Sequence, residues 1–137
     1  MTAATQDRNT DTRSGDKLPL AVKAATKIFA GTMVQKNASG YAVPASATAA
    51  NVTIGIAEVQ VDNSAGADGD LTISPRRKVV GVFANSTSTD TITIADIGNS
   101  CYVVDDSTVA KTNNSGARPV AGKIVGVDAA GVHVEFT

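Results

Sequence analysis

The stretch "GTMVQKNASGYAVPAS", Gly31 to Ser46, sets the pattern for the whole chain. Met33-Val34-Gln35-Lys36 and Tyr41-Ala42-Val43 are short β-prone runs on either side of "NASG". Asn37 and Gly40 tolerate the backbone geometry of a tight loop, so the spacing predicts a β-hairpin. No side chain in it is suited to chemistry.

Downstream, "NVTIGIAEVQVD" alternates through Val52, Ile54 and Ile56, then continues through Val59 and Val61 in the opposite phase. A one-residue slip moves every side chain to the other face, so a bulge or bend is expected near Ala57-Glu58. "LTIS" alternates through Leu71 and Ile73, and "KVVGVFA" reads as a buried strand with Gly81 allowing close approach. "TITI" reads as a further alternating strand and "ADIGNS" as a turn. "CYVV" runs into "DDS" and returns through Val109-Ala110-Lys111. "KIVGV" and "VHVEF" form a last hairpin across "DAAG". These units amount to about nine short strands at near-regular spacing, which predicts an all-β fold. The expected architecture is a small β-barrel or β-sandwich of short antiparallel strands. A loose echo between "TIGIAEVQV" and "IVGVDAAGVHV" is no more than two β segments would share by chance.

Upstream, the hydropathy pattern disappears. Residues 1–17, "MTAATQDRNTDTRSGDK", alternate Arg8, Arg13 and Lys17 with Asp7, Asp11 and Asp16 and offer almost nothing to bury. Such a segment cannot offset its ordering entropy alone, so a flexible, extended N-terminal arm, mobile when free and able to order against a partner, or else a ragged terminus without a role, is expected over 1–17 and a single β-rich body over 18–137. Around Pro19, Leu18 and Leu20 suit an extended or edge segment, and "AATKIFAG" is read as strand.

Composition narrows the function. A formal net charge of -1 supplies no global field for nucleic acid or anionic lipid, and aromatics are confined to two Tyr and three Phe. Nothing approaches the roughly 18 apolar residues of a membrane helix. No apolar signal core follows Met1, so synthesis in a reducing cytosol is expected. Cys101, the one cysteine, cannot form an intramolecular disulfide and is expected as a small buried apolar residue.

Candidate chemistry is sparse. His133 lies in "VHVEF", where Val132, Val134 and Phe136 share one face and His133 and Glu135 the other. No nucleophile, second histidine or cysteine accompanies it, so no catalytic residue is assigned. Asp62, Asp68 and Asp70 crowd one loop, but Ala65 and Gly66 break the ligand order of a helix-flanked calcium loop. Those residues, like Asp105-Asp106, are also ordinary turn vocabulary, and no metal or cofactor is expected. The glycines are scattered among hairpins rather than grouped as a phosphate loop. "PRRK", Pro75 to Lys78, is the one basic cluster, fit for a solvated strand end or an ion-pairing protein interface.

The order of these segments carries a resemblance. A low-complexity arm leads through "LPLAVKAATKIFAGTMV" and "GYAVPAS" to "IGIAEVQVDNSAGADGDLTI", then to "ADIGNSCYVVDDSTVAKT" and "VAGKIVGVDAAGVHVEF". From about Leu18 onward this resembles the capsid cement, or head decoration, proteins of tailed bacteriophages and prophages. The resemblance implies a non-enzymatic virion protein, made in the host cytoplasm and seated on the outer capsid surface. It would be a homotrimer bridging subunits of the major capsid protein, with neither nucleic acid nor membrane as partner. By analogy with that family, the arm and the basic cluster are the candidate capsid interface: Arg8, Arg13, Lys17, Leu18, Leu20, Arg76, Arg77 and Lys78. The competing expectation is a phage surface or tail-associated β module that recognises a host glycan or another virion protein. Few aromatics are available as sugar-stacking platforms for it.

Overall fold

The computed structural model describes residues 2–137. It is all-β, with twelve strands and two three-residue 3-10 turns. The strands are β1 (Leu20–Ala21), β2 (Thr26–Ile28), β3 (Met33–Lys36), β4 (Ala42–Pro44), β5 (Val52–Ile56), β6 (Val61–Asn63), β7 (Thr72–Ile73), β8 (Val79–Asn85), β9 (Ser100–Val103), β10 (Thr108–Ala110), β11 (Val120–Asp128) and β12 (Gly131–Phe136).

The C-terminal half closes into a five-stranded barrel in the order β10-β8-β12-β11-β9. Its interior follows the two-residue period of a strand. Val132, Val134 and Phe136 of β12 point inward, meeting Phe83 of β8, Cys101 and Val103 of β9, Val109 of β10 and Ile124 of β11. Phe83 and Phe136 meet edge to face, with centroids 5.8 Å apart and rings inclined at 78°. Two register shifts in β11, one against β9 and one against β12, bend the longest strand around the ring.

The N-terminal half packs smaller sheets against that barrel. β4-β3-β5 form one sheet, while β1-β7 and β2-β6 form two ladders. They enclose a second core of Val22, Ile28, Val34, Ala42, Ala57 and Ile73. Met33 and Ala45 instead join the barrel core, so the two halves share buried surface.

Hairpins β3–β4 and β11–β12 form where "NASG" and "DAAG" place them. Asn37 closes the first, its side-chain oxygen accepting from the amides of Ser39 and Tyr41, both at 3.0 Å. Four expectations are revised. β8 and β10 pair in parallel, so the strands are not antiparallel throughout. "KVVGVFA" is not buried on both faces: β8 is barrel wall, and Val80 and Val82 are exposed. The "NVTIGIAEVQVD" run does break near Ala57-Glu58, but its two pieces, β5 and β6, enter different sheets. "TITI" forms no strand. The Asn85 side chain substitutes for a strand partner, bonding Ile92 O at 2.8 Å and accepting from Ile92 N at 2.9 Å. Thr93 and Asp96 then cap each other and curl the chain into a 3-10 turn. Ile92 is thereby buried in the barrel, while Ile94 is 74 % exposed.

Candidate interaction surfaces

The fold brings the two candidate interface segments together. Arg76 bridges Ile56 on one side and Lys17 on the other. The β4-β3-β5 order therefore continues through Arg76 to the root of the arm. Arg76 N donates to Ile56 O at 2.8 Å and Ile56 N to Arg76 O at 3.0 Å. Gly55 permits this approach, because a Cβ there would lie 2.2 Å from Arg76 O. Leu18 N donates to Pro75 O at 3.2 Å, Arg77 N to Asp16 O at 2.6 Å, and the Arg77 guanidinium to Gly15 O at 2.7 and 3.0 Å. Lys17 Nζ lies 3.4 Å from Glu58 Oε1. The Ser14 hydroxyl, 2.6 Å from Asp16, is the main influence holding that carboxyl below the usual carboxylate range, with Arg76 and Lys17 adding to it.

The result is an arm pinned at Gly15–Leu18 and exposed over residues 2–14. Among the described residues no ion pair involves Arg8 or Arg13. Lys17, Arg76, Arg77 and Lys78 gather at the root. Lys78 turns the chain into β8 through a left-handed backbone, φ 56°. Leu20 packs against the second core, and Leu18 is half-buried.

A second feature had no signature in the sequence. Val52, Thr53 and Ile54 of β5 and Val120–Gly122 of β11 line a cleft of about 380 Å³, to which Phe136 and Thr137 also contribute. Behind β5, Gln35 is fully buried and holds the cleft wall in place. Its Oε1 accepts from Ser46 N at 2.9 Å and Asn51 Nδ2 at 3.1 Å. Its Nε2 donates to Ser46 O at 3.2 Å and Thr53 Oγ1 at 3.3 Å. A glutamine within "MVQK" reads as a solvent-facing strand residue, and only the long-range fold shows otherwise.

The other titratable candidates have structural partners. His133 Nε2 lies 2.9 Å from Asp128 Oδ2, across the β11–β12 turn. The Ala130 amide, followed by His133, holds the Asp128 carboxyl below its ordinary range. In the acidic loop, Asp68 Oδ1 accepts from Ala24 N at 2.7 Å, Asp70 Oδ2 from Ala67 N at 2.9 Å and Asp62 Oδ1 from Ser64 N at 3.0 Å. Asp105 Oδ1 accepts from Ser107 N at 2.9 Å in the same manner. Among the described residues no group of three or more His, Cys, Asp or Glu is placed to hold a metal. Cys101 is buried, and burial pushes its thiol up to about 11. No helix among the described residues is long and apolar enough to cross a membrane.

Comparison with known protein families, with curated proteins and with solved structures finds no match to this chain.

Proposed function

We propose that this chain is a structural virion protein that decorates and stabilises the outer surface of a tailed-phage capsid. It acts by contact rather than by catalysis, as a homotrimer whose arms bridge neighbouring major capsid subunits. One observation carries the reading: an arm exposed over residues 2–14 is rooted, through strand pairing, in a body of short interlocked strands. The segment order of cement proteins supports the same assignment.

The physical argument concerns attachment. An extended arm adds main-chain hydrogen bonds to an exposed sheet edge, although each arm binds weakly because it must first be immobilised. Three arms on one rigid body raise the effective concentration, and avidity exceeds single-arm affinity by roughly 10²–10⁴-fold. The pinned root determines where each arm leaves the body. Lys17, Arg76, Arg77 and Lys78 favour an acidic strip on the shell beside it.

The test is a mixing experiment with expanded, undecorated heads built from the major capsid protein encoded with this chain. Co-sedimentation and a higher head-disruption temperature are expected on addition of the protein. Heads that neither retain it nor gain heat resistance would rule the function out.

A further inference from the structure

The first half of β8 keeps an open edge within the ring. Successive residues of a strand turn their N–H and C=O groups to opposite sides. Ala84 N donates to Ser107 O at 2.9 Å, toward β10, so Val82 and Val80 turn their peptide groups to that same side. Val79, Gly81 and Phe83 turn theirs to β12. β10, however, reaches only Ala84 and Asn85. Among the described residues nothing bonds the amides or carbonyls of Val80 and Val82, which are 47 % and 48 % exposed. Unpaired peptide groups along an exposed edge are best satisfied by another extended chain.

The surroundings of the edge select what docks there. Val80 and Val82 share the outer wall, so an incoming strand gains by setting β-branched side chains beside them. The start of the edge is basic: Arg76, Arg77 and Lys78 lead directly into β8, and among the described residues none of them is ion-paired. Glu135, across from Val80 on β12, has Lys123 across from it on β11. Charge complementarity therefore favours carboxylates at the Lys78 end of the added strand. We propose that an extended segment of the shell protein, alternating in β-branched residues and acidic at its C-terminal end, docks antiparallel along Val79–Phe83. It bonds the peptide groups of Val80 and Val82 and sets its carboxylates beside Arg76, Arg77 and Lys78. The shell as source rests on the function proposed above; the open edge and its charge do not. This grip belongs to the body and is separate from the arm.

Residue-resolved hydrogen exchange of the full chain tests it, with a capped peptide of alternating threonine and valine that ends in Asp-Glu-Asp. In the free protein the Val80 and Val82 amides are expected to exchange fast and those of Gly81 and Phe83 slowly. Millimolar peptide is expected to slow Val80 and Val82, and a peptide ending in Lys-Arg-Lys to leave them fast. Unslowed exchange with the acidic peptide, or equal slowing by both, overturns the proposal. So does slowing that grows with protein concentration alone, which would give the edge to a second copy. Val80→Pro removes a donor from the open side and keeps the bonds to β12, so it is expected to abolish the slowing at Val82 while Gly81 stays slow. Slowing retained at Val82 counts against the docking. In head-bound protein the Val80 and Val82 amides are expected to be slow. Heads that retain the protein while these amides stay fast overturn the docking and leave the function standing. Heads that do not retain it overturn the function and the shell as source, even where the peptide protects the edge.

Discussion

Replacing Gln35 by methionine should cost this protein a substantial part of its stability, although the two side chains are similar in size. The substitution keeps the buried volume and removes all four hydrogen bonds of the amide. Two donors lose their partner: the Ser46 amide and the Asn51 side chain, the latter only 9 % exposed. Stranding a buried donor costs about 1–3 kcal/mol, so the pair corresponds to about 2–6 kcal/mol. With unfolding entropy near 2.1 cal/mol/K per residue, a chain this long loses about 7–21 °C in Tm. Urea unfolding followed by circular dichroism, together with scanning calorimetry, measures both quantities. Thr53→Val is the control, removing one bond at 3.3 Å and costing about 0.5–1.5 kcal/mol. A loss below about 1 kcal/mol for Gln35→Met would refute the reasoning, because it would mean that water already satisfies these groups. The cleft wall would then owe its position to apolar packing alone.

Other outcomes are expected. Gly55→Ala places a Cβ 2.2 Å from Arg76 O, forces β5 away from Arg76, and should accelerate hydrogen exchange at the Leu18 and Ile56 amides; unchanged exchange would count against the sheet extension. Arg77→Ala removes the two guanidinium bonds to Gly15 and should raise exchange at residues 15–18 while leaving the urea midpoint in place. Stability should fall as pH drops below about 4, because Asp90 and Asp96 titrate below their ordinary range in the folded state. Bonds from the Thr112 hydroxyl and then Arg118 depress Asp90, and the Thr93 amide and then Lys111 depress Asp96. These contributions are present above the unfolded carboxylate pKa and vanish as the folded groups protonate. Asp106, raised by burial, opposes them weakly, and urea midpoints at pH 6 and pH 3 give the net sign. Deleting residues 2–14 should leave a folded body that no longer co-sediments with heads, and undiminished attachment would show that the arm is not the grip.

Hairpins that carry their own turn chemistry were legible in the sequence. Asn37 with Gly40 and the "DAAG" loop sit between alternating runs, and both are local features. β8 misled because valine occupies both of its faces, and a wall strand with an apolar exterior has the pattern of a buried one. "TITI" misled because the residue that captures Ile92, Asn85, lies seven positions upstream and bonds through its side chain. At the interaction surfaces, the pairing of Arg77 with Gly15 spans 62 positions, so no window of sequence could join the arm root to "PRRK". The same distance effect hid Gln35 and the cleft.

The barrel is drawn entirely from residues 79–136, and β12 sits within it between β8 and β11. The ribosome makes β12 after every strand it joins, so the ring cannot close while the chain is still being elongated through that point. Until then, Met33 and Ala45 from the first half have no barrel interior to enter, whereas the second core, drawn from Val22 to Ile73, needs none of the barrel strands. The final hairpin is the cheapest contact to form, because its strands adjoin in sequence, and its formation closes the ring. Closure of the barrel therefore has to wait for its last hairpin.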